Sequence, residues 1–359
     1  MKVGIVTQPL CANYGGILQN FALQRVLKTL GHTPVTLDYM PSLSFGRYLL
    51  YAGKWGVSSL LRGRDRPLKP YRHFLERPAA IDAFVQKEVS VTRTLSRYSA
   101  TILKKNGIDA IIVGSDQVWR YAYNSQNFKD MFLAFAKDYP CRKFAYAASF
   151  GVDEWDCPNN MRPMVKRLER QFDSVSVRED SGAVLCKEHF GVKAEVVLDP
   201  TLLLSASEYE VFCKEPTSND HPYMAAYVLD MNKEKEEYIE NVARVKNLEI
   251  KYLSVSSKGV SIEEWLTILR NAGFIITDSY HGSLFSIIFK KQFRTITNRE
   301  RGADRFSTLF QRLRLMEVLI DSADCKPDLS VVIDYDSVLA SLRQLQDDSI
   351  SFIRKSLGL

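Results

Sequence analysis

The chain has 359 residues, 46% of them hydrophobic and 25% charged, which suits a soluble globular protein of two domains. No apolar run reaches membrane-spanning length. The six scattered cysteines lack paired spacing, which fits reduced thiols in the cytosol and argues against a structural zinc site. The formal charge of +6 is uneven: Ser42–Pro78 holds eight basic residues against two acidic ones, so the remainder is neutral, and a local excess of this size is the footprint of an anionic partner, with no nucleic acid predicted among the partners.

Lys2–Thr7 is predicted as a buried strand; its apolar run is too short for a signal peptide. Pro9–Gly16 reads as a loop holding Asn13, Tyr14, Gly15 and Gly16. A helix follows through Leu18, Ala22, Leu23, Val26, Leu27 and Leu30, and Gly31 stops it. Val35–Asp38 is the next strand. The paired glycines either let backbone approach a ligand or make a plain turn; the spacing is not GxGxxG, so no dinucleotide is inferred. Phe45–Leu61 mixes aromatic residues with Arg47 and Lys54, and Arg62, Arg64 and Arg66 follow. That segment suits either an anionic membrane surface or a packing insertion with a solvated basic loop.

Ile81–Val89 and Met161–Phe172 read as helices. Asp109–Asp116 is a strong strand with Ser115, Asp116 and Gln117 at its end, and Lys143–Ser149 is another. Ser174–Arg178 leads into a helix over Ala183–His189, which puts Arg178 at a junction suited to clamping an anion. Val196–Thr201 is predicted as strand. A boundary within Ser205–Pro222 separates a first domain, 1–205, from a second, 206–335. In the second, Met224–Leu229, Glu236–Val245, Ile250–Val255, Ile262–Asn271, Phe274–Thr277, Leu284–Phe289 and Phe293–Ile296 alternate strand and helix. The last segment, 336–359, reads as a helix able to cross the cleft. The whole is α/β, two Rossmann-like domains.

The stretch Gly273–Lys290 organises the chain. Phe274–Thr277 is a buried parallel strand, and Asp278, Ser279, Tyr280, His281, Gly282 and Ser283 lie between it and a helix. Ligands of open α/β sheets bind beyond strand ends, and a helix N-terminus welcomes an anion. An isolated histidine is more often a packed turn residue, and Ser279 or Ser283 can be simple caps. The polar cluster at a strand end favours function for His281, since imidazole titrates near neutral pH.

Seven pieces in order, namely Asn13–Gly16, Val113–Trp119, Ser176–Asp180, Leu198–Thr201, Glu264-Trp265, Thr277–Ser283 and Arg301–Phe306, resemble the polysaccharide pyruvyl transferase family. The resemblance implies a two-domain fold like that of GT-B glycosyltransferases, with the active site in the cleft between domains. It implies transfer of the pyruvyl group of phosphoenolpyruvate to a sugar of a surface polysaccharide or its lipid-pyrophosphate-linked precursor. The products are a pyruvate ketal and phosphate, and neither cofactor nor metal is needed. The place of work would be the cytoplasm or the inner face of its membrane. Some members carry Ser-x-Arg-x-His; here Ser279 stands where that arginine would be, so the anion-binding arginine comes from elsewhere, Arg301 or Arg305.

Ketal formation on this reading needs one group that gives and takes protons near neutral pH, and His281 fills that role. The donor carries a phosphate and a carboxylate, for which Arg178, Ser279, Gly282, Ser283, Arg301 and Arg305 are the candidates. Asn13, Tyr14, Gly15, Gly16, Ser115, Asp116 and Gln117 form the acceptor side. Two other readings stay open: a nucleotide-sugar glycosyltransferase on the same architecture, and a non-catalytic membrane-surface assembly protein using Ser42–Pro78.

Overall fold

The computed structural model describes residues 1–11, 13–40, 49, 52–53, 77–216, 221–253, 260–297, 304–321 and 329–359. Two parallel sheets carry it. The first unit holds β1 (Lys2–Val6), α1 (Tyr14–Thr29), β2 (Thr33–Thr36), β3 (Ala110–Val113), β4 (Arg142–Ala148), β5 (Ser174–Val177), α2 (Asp180–Leu185) and β6 (Glu195–Val196). The second holds β7 (Tyr223–Tyr227), α3 (Lys233–Lys246), β8 (Glu249–Tyr252), α4 (Ile262–Asn271), β9 (Phe274–Thr277), α5 (Tyr280–Ile288), β10 (Phe293–Ile296), α6 (Asp304–Leu313) and β11 (Leu319–Ile320). A last helix, α7, spans Tyr335–Leu357. The runs β3, β7 and β9 are buried at every position, as parallel strands covered on both faces must be.

The strand orders are β2-β1-β3-β4-β5-β6 and β11-β10-β9-β7-β8. In each sheet the second strand lies on one side of the first, and the later strands extend on the other. The order therefore reverses between β1 and β3 and again between β7 and β9. Those reversals open crevices beyond the carboxyl ends of the strands, where doubly wound sheets bind ligands.

The units share a core. Tyr14 of α1 stacks on Trp265 of α4, and Tyr209 packs edge-on against Phe285 of α5. The helix α7 begins on the second unit, where Tyr335 donates to the carbonyls of Ser286 and Lys291. It ends on the first, where Ser349 accepts from the Leu198 amide and Gln346 donates to the Leu202 carbonyl. Among the described residues, no helix is long and apolar enough to cross a membrane.

Several elements depart from the sequence reading. Both α1 and α5 begin earlier, at Tyr14 and Tyr280, so Gly15, Gly16, His281, Gly282 and Ser283 are helical rather than loop. Glycine argues against helix, but at Gly15 and Gly282 neighbouring side chains occupy the space a missing Cβ leaves, as described below. The strand expected over Val196–Thr201 stops at Val196, because the Asp199 carboxylate accepts from the Thr201 amide and turns Pro200–Leu203 into a 3-10 helix. Arg301 lies outside the described residues, as does the basic segment Ser42–Pro78 except Leu49, Ala52, Gly53, Arg77 and Pro78. Arg77 is no solvated charge. Its guanidinium donates to Asp38 at 2.7 Å, Asp82 at 2.9 Å and the Leu10 carbonyl at 2.6 Å.

Candidate active site

The two crevices face each other across one cleft of about 250 Å³. Its wall is formed by Gln8 and Asn13 beyond β1, Asp116 and Gln117 beyond β3, Leu229 beyond β7, and Asp278, Ser279, Tyr280 and His281 beyond β9, with Tyr123, Tyr227 and Arg305. Each strand end is pinned. Asp278 accepts from the Leu229 amide at 2.6 Å, the Asp230 amide at 3.2 Å and Lys235 Nζ at 2.7 Å, which ties β7 to β9 and neutralises a buried carboxylate. Thr277 Oγ1 donates to the Tyr227 carbonyl and accepts from the Ser279 amide. Ser279 Oγ caps α5 by accepting from the Gly282 amide at 3.4 Å.

His281 is 7% exposed and sits in the first turn of α5. Its Nε2 lies 2.6 Å from Gln19 Nε2, and the same amide nitrogen donates to Asp199 Oδ2 at 2.6 Å. Asp199 is a carboxylate, so Gln19 must turn its NH₂ toward it. The second amide hydrogen then goes to His281 Nε2, which leaves the imidazole proton on Nδ1. That nitrogen rests against Gly15, where a Cβ would come 2.5 Å from Cε1 and closer still to Nδ1 and Cγ. Only glycine leaves room for the ring.

Asp199 is the hub behind His281. Oδ1 accepts from the Thr201 amide and hydroxyl, and Oδ2 accepts from Arg178 at 2.8 Å and lies 3.7 Å from His281 Nε2. Burial alone would raise its pKa. The His281 imidazole, the Arg178 guanidinium and the Thr201 amide outweigh burial and hold the carboxyl well below the usual aspartate range.

Arg178 is buried and committed. Besides Asp199 it approaches Asp116 at 3.4 Å and Glu179 at 3.9 Å, and its guanidinium lies 4.7 Å from the Tyr280 ring centroid. Burial would favour its loss of charge, but Asp199, Tyr280, Asp116 and Glu179 overcome that and raise its pKa further. Arg305 also lies on Tyr280, 5.2 Å from the centroid. Burial and then the neighbouring Arg178 lower it to about 10, against Asp116 and Glu179, so it is still a cation at neutral pH. Burial raises Glu179 despite Arg178 beside it; the carboxylate accepts from the Phe150 and Gly151 amides.

Of the predicted residues, the fold brings His281, Ser279, Arg305, Asn13, Asp116 and Gln117 to the cleft wall. Asn13 Nδ2 donates to Asp116 Oδ2 at 3.0 Å, joining the β1 and β3 ends. Others stand behind the wall. Arg178 lies under Tyr280. Tyr14 turns away and donates to the Val260 carbonyl. Ser115 donates to the Ala147 carbonyl, and Ser283 bonds Thr295 Oγ1 at 2.7 Å. Gly16 packs on Asn13, and Gly282 on Thr277 and Tyr227. Site residues given no role from the sequence include Asp199, Gln19, Gln8, Tyr280 and Tyr123. Asp199 had a signal, an acidic residue just past a strand and before proline. Gln19 had a weaker one, a polar side chain one turn after Gly15 on the buried face of a helix.

The helices α1 and α5 both begin at this cleft, so two positive helix ends converge on it. A family model described as polysaccharide pyruvyl transferase matches residues 13–300. The chain belongs to that family. No curated relative matches it. Among solved structures, S. aureus MnaA in its co-structure with UDP has a TM-score of 0.55 at 12% identity, over 100% of this chain and 97% of that one. This likeness shows the fold, two parallel α/β domains in the GT-B arrangement. A Methanocaldococcus jannaschii UDP-GlcNAc 2-epimerase in complex with UDP-GlcNAc and UDP has a TM-score of 0.49 at 13% identity, over 99% of each chain. A glycosyltransferase from Rickettsia africae ESF-5 has 0.49 at 12%, over 99% of this family member and 98% of its own chain.

Proposed function

We propose that the cleft transfers the pyruvyl group of phosphoenolpyruvate to a glycan, forming a pyruvate ketal and releasing phosphate. One observation carries the reading: a histidine, backed by a buried carboxylate, stands where both sheet crevices meet, beside a cation and two helix N-termini. A small donor with two anionic groups matches that charge, and family membership supplies the reaction class.

On this reading the donor's phosphate and carboxylate take the start of α5 and Arg305. Arg178 acts from behind Tyr280 by holding Asp199. Protonated His281 gives its proton to the methylene carbon of phosphoenolpyruvate, which becomes the methyl group. An acceptor hydroxyl bonds the adjacent carbon and returns its proton to His281. A second hydroxyl then bonds the same carbon as the bond to the phosphate oxygen breaks, and the departing phosphate takes the second hydroxyl's proton. The Asp199 carboxylate steadies the imidazolium between these steps.

The test is incubation with phosphoenolpyruvate and soluble glycans, reading phosphate release and the mass gain of a pyruvate ketal. His281→Ala should lower turnover about 10² to 10⁴-fold in a folded protein. A uridine nucleotide that raises the melting temperature where phosphoenolpyruvate does not would replace this reading with a nucleotide-sugar glycosyltransferase.

A further inference from the structure

The chemistry above leaves several cleft residues unused, Tyr123 among them. Tyr123 is 51% exposed at the rim of the cleft that His281 lines. A single exposed aromatic is ordinary, but this one is held in place. It sits in the short helix Tyr121–Asn124. The Tyr121 and Ala122 amides donate to the two Asp156 carboxylate oxygens at 2.8 and 2.9 Å. Asn124 Nδ2 donates to the carbonyls of Gln117, Val118 and Arg120. The Arg120 guanidinium lies over the Tyr123 ring, 4.4 Å from its centroid, and donates to Gln117 Oε1 at 2.9 Å. Gln117 fits because residue 151 is glycine at φ 67°, where a Cβ would come 2.8 Å from Gln117 Cγ and closer to its amide.

One ring face is thus covered by a guanidinium, and the backbone that carries the ring is held before any ligand arrives. The same rim offers Gln8, Asp116 and Gln117, amides and a carboxylate with both donor and acceptor character. A pyranose ring has a face of C–H bonds and an edge of hydroxyls. An aromatic face braced from behind beside such groups is complementary to both, and the bracing lowers the entropy cost of binding.

We infer that Tyr123 is the stacking platform for a sugar ring of the acceptor, whose hydroxyls meet Gln8, Asp116 and Gln117. The choice of a sugar, rather than another flat-faced ligand, rests on the pyruvyl-transfer reading. Tyr123 touches the acceptor ring and takes no part in proton transfer.

Methyl β-glucopyranoside, methyl β-galactopyranoside and methyl β-mannopyranoside are titrated into wild type, Tyr123→Ala and Tyr123→Phe by saturation-transfer NMR. Phosphoenolpyruvate binding is read separately by thermal shift. Wild type should bind at least one glycoside, and Tyr123→Ala should weaken it about tenfold, the scale of one aromatic contact. Tyr123→Phe should bind like wild type, and the response to phosphoenolpyruvate should be the same in all three. Equal glycoside binding by wild type and Tyr123→Ala, or none by wild type, overturns the platform. If wild type ignores phosphoenolpyruvate while the tenfold effect on glycosides holds, the platform stands and the pyruvyl-transfer reading falls.

Discussion

Gly15→Ala is the smallest change that should disable the site. The added Cβ would stand 2.5 Å from Cε1 of His281 and closer to Nδ1 and Cγ. Carbon contacts prefer about 3.5–4.0 Å, so the imidazole must retreat by about 1 Å or more. The 2.6 Å bond from Gln19 to Nε2 then stretches past hydrogen-bonding range. A misplacement of this size at a reacting group costs about 10²-fold in rate. Stability should suffer less. Overpacking costs about 1–3 kcal/mol, while alanine gains about 0.5–1 kcal/mol over glycine in a helix. Turnover, measured as phosphate release with phosphoenolpyruvate and a glycan, should therefore fall about a hundredfold while the urea midpoint shifts only modestly. The His281 ring resonances should move as well. A folded Gly15→Ala protein with wild-type turnover and unchanged His281 resonances would refute the packing argument.

Two further predictions concern buried carboxyls. Asp199→Asn leaves Arg178 without its nearest carboxylate and should cost about 3–5 kcal/mol at neutral pH. Asp199 is held below its ordinary value of about 3.9, so its contribution is present above that pH and lost on further acidification. Urea unfolding should show the gap between Asp199→Asn and wild type narrowing as pH falls below about 4; a gap unchanged down to the lowest pH reached would contradict it. Glu169 is 1% exposed, and burial, opposed only by Arg170, pushes its pKa up to about 7. The folded state binds this proton more tightly than the unfolded chain does. Stability should therefore decline as pH rises from about 4.5 through 7. Glu169→Gln should remove that decline and exceed wild type in unfolding free energy above pH 7, by at most about 3 kcal/mol. Parallel pH profiles for the two proteins would remove Glu169 as the cause.

The sheets were legible because their strands are buried on both faces, so Ala110–Val113 and Phe274–Thr277 stand out as unbroken apolar runs. Polar residues just beyond such runs, Asp116, Gln117, Ser279 and His281, were legible as cleft residues for the same reason: in a doubly wound sheet, strand ends face the ligand. The start of a helix was not. Gly15, Gly16 and Gly282 look like loop signals in one dimension but are helical, and at Gly15 and Gly282 the side chains of His281 and Thr277 stand where a Cβ would be. Arg178 was visible at its strand end, but its direction was not, since three carboxylates from separate loops draw it beneath Tyr280. Local pattern thus determined the layers and named the residues at their edges. Only the closing of two units determined which of those residues meet. His281 and Gln19 are 262 positions apart, and neither carries in its own neighbourhood the spacing, burial or charge that makes them partners over Asp199.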